Sequence, residues 1–236
     1  MQTAMFALEV FGIISFAISG AIVAIDKETD VFGVVFLAIT TSFGGGLMRD
    51  VIIGKNPPLM FYLHTYLVVC VATALVVFVL AAVFKKAYVK NEALVCNINN
   101  IFDAIGIGVF AVSGTKICLE YGPLIAILLG GLSAFGGGMI RDLILREIPF
   151  ILRKRIYAVA TLSGSAMYYL CYKCIFAGLS AGIKDLISTV IGASVVFLIR
   201  VLATAFKLNA PKAIIFSKFN SEETEKESES KMPLQK

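Results

Sequence analysis

The chain has 236 residues; 58% are Ala, Val, Ile, Leu, Met, Phe, Tyr or Cys and only 16% are Asp, Glu, Lys or Arg. With a mean hydropathy of +0.88, it lacks the polar residues needed to cover a soluble globule, whose charged share is about 25%. A soluble enzyme, a nucleic-acid-binding domain and a disordered scaffold are thereby excluded, and the net charge of +5 comes from short loops rather than from a basic face that would bind nucleic acid.

Taken in order, apolar runs near the roughly 20 residues that cross a bilayer predict seven helices, at 4–25, 32–53, 62–84, 100–118, 123–145, 156–176 and 183–206. The separators are polar or contain proline: Asp26 to Asp30, Lys55 to Pro58, Lys85 to Asn99, Glu120 to Pro123 and Arg146 to Arg155. No basic segment precedes the first run, so it reads as a retained helix rather than a cleaved signal. Eleven Lys and Arg residues fall on one side of this arrangement, among them Lys27, Lys85, Lys86, Arg146 and Arg155; Lys55, Lys116, Lys173 and Lys184 fall on the other. That bias places the C-terminus in the cytoplasm and the N-terminus outside. Residues 217–236 are polar and read as a disordered tail. The cysteines, including the Cys171–Cys174 pair on an apolar helix, read as small packing residues. His64 has no metal-ligand spacing to another histidine, and no cofactor is expected.

Self-similarity is the strongest signal. Phe43-Gly44-Gly45-Gly46-Leu47-Met48-Arg49-Asp50 recurs as Phe135-Gly136-Gly137-Gly138-Met139-Ile140-Arg141-Asp142, and Ser19-Gly20 recurs as Ser113-Gly114. The repeat unit holds three helices, residues 1–99 and then 100–182. Three is odd, so the second unit enters the membrane from the opposite face. The expected fold is thus all-α: an inverted-topology repeat with a working site near the midplane, followed by a seventh helix and exit over 183–216.

Gly44, Gly45 and Gly46, mirrored by Gly136, Gly137 and Gly138, predict a broken or kinked second and fifth span lining a wet path. Close helix packing is the competing reading. Arg49, Asp50, Arg141 and Asp142 follow about one turn later, at a depth where charge is expensive and faces the bundle interior. Sequence neighbours diverge by about 100° on a helix, so each Arg and its adjacent Asp are expected to face different spots. Topology instead pairs Glu9 with Arg49 and Asp103 with Arg141, directly or through water. Lys116, with no charged counterpart in the first half, reads as a gate, a substrate contact or an interface lysine. Arg200 has no repeat partner, which leaves helix ends, headgroups and another subunit open.

The doubled G-G-G-x-x-R-D motif, each copy one helix after an S-G pair, resembles bacterial relatives of the trimeric intracellular cation (TRIC) channels over residues 4–206. The resemblance implies a homotrimer in the bacterial plasma membrane, a pore within each protomer and kinks at the two glycine triplets. It also implies conduction of K⁺ and Na⁺ past a basic residue near the constriction. Arg49-Asp50-Val51 stands where the animal channels carry K-E-V. Some bacterial members are linked instead to glycine uptake, so a secondary transporter for a small amino acid is the alternative. The remaining partners expected are membrane lipids.

Overall fold

A computed structural model of the protein describes residues 2–62, 64–153 and 155–206. The expected tail at 217–236 lies outside them. Among the described residues the fold is helical. Helix α1 (Gln2–Asp26) turns through Lys27 to Asp30 into α2 (Val31–Ile52). Asp30 caps α2, its carboxylate accepting the Gly33 N–H at 2.8 Å, which satisfies a donor the first turn leaves free. A 3₁₀ turn at Leu59–Tyr62 precedes α3 (His64–Val83), the short α4 (Lys85–Lys90) and α5 (Glu92–Ile117). After a 3₁₀ turn at Leu119–Tyr121 and Gly122 at φ +88°, α6 (Pro123–Ile144) begins with proline at its first position, where a missing N–H costs nothing. Helix α7 (Phe150–Arg153), α8 (Arg155–Leu170) and α9 (Ala181–Ala205) follow.

Helices α1, α2, α3, α5, α6 and α9 are long and apolar enough to cross a membrane; 22 residues of α-helix extend about 33 Å against a hydrocarbon core of about 30 Å. The run expected at 156–176 is α8, 16 residues long, continued by a π-helical turn over Cys171–Ile175. The segment 85–99, expected as a loop, is helical: it forms α4 and the first turns of α5. Its Lys, Glu, Ala and Leu are good helix formers, and a membrane helix continues into water where its sequence permits.

Small side chains set the packing. Ala17, Ala21 and Ala24 of α1, Val34, Leu37 and Ala38 of α2, and Cys70 and Ala74 of α3 form one buried cluster. Phe16, Ile107, Ala111, Ala134, Ala160 and Val196 form a second, from α1, α5, α6, α8 and α9. In lipid, where apolar faces gain nothing by leaving water, such residues let backbones approach and gain dispersion contact. An ion pair of Lys27 with Glu147 ties the turn after α1 to the turn after α6, so α1 and α6 end on the same face of the protein.

Candidate permeation site

Helices α2 and α6 meet at their glycine triplets. A Cβ on Gly45 would lie 2.1 Å from the Ser133 carbonyl oxygen, and one on Gly137 would lie 2.1 Å from that of Thr41. Gly44 faces the Gly137 backbone and Gly136 faces that of Gly45. Residue numbers rise on one helix as they fall on the other, so the helices cross antiparallel. Arg49 and Arg141 therefore lie on opposite sides of the crossing.

No break interrupts either helix. Both helices run through their triplets with helical backbone. Four of the six glycines are packed against the neighbouring backbone rather than facing a path. Gly46 and Gly138 differ. Their missing Cβ atoms would meet only Arg49 Nη2 at 3.6 Å, and Arg141 Nη2 and the Tyr157 hydroxyl at 3.8 Å.

Those two glycines each open on a cavity. The first, about 160 Å³, is lined by Glu9, Ser42, Gly46, Arg49, Asp50 and Tyr66, among others. The second, about 40 Å³, is lined by Ser19, Asp103, Gly138, Arg141, Asp142 and Tyr157, among others. Each volume exceeds the roughly 10–15 Å³ that one water needs, and polar partners are present in both.

The charges within them pair in a way that overturns the expectation from helical divergence. Arg49 donates from Nε and Nη2 to Oδ1 of Asp50, at 2.9 and 2.7 Å. Arg141 does the same to Asp142, at 3.0 and 2.8 Å. The guanidinium stem is long enough to curl back across the 100° between neighbours. The second carboxylate oxygen of Asp50 accepts the Leu59 N–H at 2.8 Å, and that of Asp142 accepts the Phe150 N–H at 2.9 Å. Each Asp thus anchors the chain that returns from its helix. With Arg49 5% exposed and Asp50 1%, every hydrogen bond of the pair counts against a large desolvation penalty. The remaining Nη1 atoms reach Ser133 Oγ from Arg49 at 3.4 Å and Ser19 Oγ from Arg141 at 3.5 Å.

Glu9 and Asp103 consequently have other direct partners than the expected arginines. Glu9 accepts from the Tyr66 hydroxyl at 2.6 Å and from Ser113 Oγ at 3.0 Å; it shares a cavity with Arg49 without pairing with it. Asp103 pairs with Arg200 at 3.0 Å and accepts from the Tyr157 hydroxyl at 3.5 Å. Lys116 is drawn away from both cavities by Asp185, at 2.7 Å, whose other oxygen accepts from the Tyr168 hydroxyl at 2.8 Å. Tyr66, Tyr157 and Arg200 are site residues that the motif reading passed over. Ser19 and Ser113 stand inside the repeated S-G pairs, and Tyr66 and Tyr157 are spaced almost at the repeat offset; these were the available signals.

With this geometry in place, the family model described as Glycine transporter matches residues 6–82 and 100–173, each block carrying one glycine–arginine motif. The chain belongs to this family. Curated relatives include a UPF0126 membrane protein of Deinococcus radiodurans, 38% identical over 69% of this chain and 74% of that one. The UPF0126 inner membrane protein YadS of Escherichia coli K12 is 34% identical over 86% and 93%. Among solved structures, a prokaryotic TRIC channel in 0.5 M KCl superposes with a TM-score of 0.73 at 30% identity, over 89% of this chain and all of that one. The TRIC orthologue of Rhodobacter sphaeroides does so with 0.73 at 32%, over 87% of this chain and all of that one. This Glycine transporter family member is therefore a multi-span helical membrane protein related to the bacterial TRIC channels.

Proposed function

We propose that the protein is a channel for monovalent cations, K⁺ and Na⁺, with a pore inside each protomer of a homotrimer. The observation that carries this reading is the charge of the larger cavity: Glu9 and Asp50 supply two carboxylates against the one guanidinium of Arg49. Among the described residues Glu9 has no ion-pair partner. A low-dielectric cavity with a net negative charge draws cations and repels anions. The TRIC channels of like fold and 30–32% identity support the same function.

In this reading two inverted three-helix units, residues 1–99 and 100–182, place their cavities on opposite faces of the plasma membrane. Helix α8 with its π-helical turn is the sixth span and α9 the seventh, with the N-terminus outside. The path runs from Glu9, Gly46, Arg49 and Asp50, past the α2–α6 crossing, to Gly138, Arg141, Asp142 and Asp103. The crossing separates the cavities here, so conduction requires α2 and α6 to shift against each other. Glycine faces suit that movement, because backbones without side chains slide with little steric hindrance.

A second reading is a carrier for a small amino acid. Its support is the family's description and two cavities on opposite sides of a closed crossing, the layout of alternating access. Purified protein in a planar bilayer separates the two. Unitary K⁺ currents that reverse near the K⁺ equilibrium potential support the channel. Silent bilayers, with saturable gradient-driven glycine uptake into proteoliposomes, overturn it in favour of the carrier.

A further inference from the structure

The two cavities are built from matching parts but do not carry the same charge. Each is lined by an Arg–Asp pair, by one further acid from the preceding repeat helix, Glu9 or Asp103, and by a tyrosine that donates to that acid. The difference comes from α9, which lies outside the repeat. Its Arg200, 3% exposed, places Nη2 3.0 Å from Asp103 Oδ2. The guanidinium is held against two aromatic faces, 4.4 Å from the Tyr157 ring centre and 5.5 Å from that of Phe150. This is cation–π geometry in a desolvated setting. Asp103 and the two rings hold the group, and its Nε has no hydrogen-bond partner among the described residues. Among the described residues Glu9 receives only neutral hydroxyls.

We propose that Arg200 is a specificity-determining positioning residue. By cancelling the carboxylate of Asp103 it leaves the smaller cavity neutral, so that cations are held beside Glu9 and not beside Asp103. Among the described residues, Asp103, Asp142, Arg141 and Arg200 sum to zero with Arg200 counted; without it they sum to the same single negative charge as Glu9, Asp50 and Arg49. A cation crossing the protein thus meets one attractive cavity and one neutral one, and the release end is fixed by the seventh helix.

This inference rests on the cation reading above, and its test keeps the two apart. Crystals of the full-length protein grown in RbCl, with anomalous diffraction at the rubidium edge, locate Rb⁺ directly. In the wild type, Rb⁺ is expected beside Glu9 and absent beside Asp103. In Arg200→Met a second Rb⁺ is expected beside Asp103. Asp103→Asn added to Arg200→Met removes it, and Arg200→Lys keeps the wild-type pattern. Rb⁺ beside Asp103 in the wild type overturns the role of Arg200 and needs no variant to fold. A folded Arg200→Met, or Arg200→Gln where Met fails to fold, that holds Rb⁺ at Glu9 and none at Asp103 also overturns it. Absence of Rb⁺ from the Glu9 cavity in every form overturns the cation reading instead. Appearance of Rb⁺ at Asp103 only on removal of Arg200 supports the charge-cancelling role even then.

Discussion

Replacing Gly45 with alanine tests whether the glycine triplet serves the crossing or a path. The new Cβ would sit 2.1 Å from the Ser133 carbonyl oxygen, 2.8 Å from its carbon and 3.0 Å from the Leu132 oxygen. All three are backbone atoms, so no side chain can swing aside. Raising 2.1 Å to the 3.4 Å of ordinary contact needs the helices to part by about 1.3 Å at their closest point. Overpacking a tight interior costs about 1–3 kcal/mol, and a backbone-on-backbone clash belongs at the upper end. For a chain of this size about 3 kcal/mol lowers the melting temperature by roughly 6–12 °C. One residue on, the Cβ of Gly46→Ala meets only Arg49 Nη2 at 3.6 Å, and alanine gains up to about 1 kcal/mol of helix propensity. That variant is expected to melt with or slightly above the wild type. Thermal unfolding in one detergent compares the two. If Gly45→Ala melts with the wild type while Gly46→Ala falls, the assignment of Gly45 to packing and Gly46 to the cavity is wrong.

Three further outcomes are expected. Asp50→Asn leaves a buried guanidinium without its counter-charge and is expected to cost about 3–5 kcal/mol, read as a loss of melting temperature that Asp142→Asn reproduces in the other half. Lys116→Gln breaks a pair whose lysine is 39% exposed; it is expected to cost no more than about 1 kcal/mol and to leave ion conduction unchanged, since Lys116 lines neither cavity. Arg146, exposed and at φ +57° in the turn after α6, occupies the place that Gly54 (φ +70°) holds after α2; Arg146→Gly relieves a left-handed conformation that costs about 1–2 kcal/mol for an L-residue and is expected to raise the melting temperature by a few degrees.

Six spans were legible because a membrane helix is announced by length and apolarity alone. The boundary at 85–99 was not, since α4 and the start of α5 are helical without being apolar. The two motifs pointed to the right helices, yet the triplets' purpose needed coordinates. A glycine that lets backbones touch and one that opens a cavity are the same letter, and Gly45 and Gly46 do one each. The Arg49–Asp50 pair was missed by treating side chains as short spokes, when arginine reaches back across a quarter turn. Arg200 on Asp103 could not be read from the repeat at all, because α9 has no counterpart in it.

Cysteine accessibility during conduction tests the central claim of a path joining the two cavities most directly. In a background lacking the native cysteines, Gly46→Cys and Gly138→Cys place a thiol at each cavity wall. A membrane-impermeant cationic thiosulfonate is applied to one side of a planar bilayer at a time during K⁺ current recording. Each variant is expected to be blocked, from opposite sides, while the parent is untouched. Persistent current after both thiols are shown to be modified would contradict it.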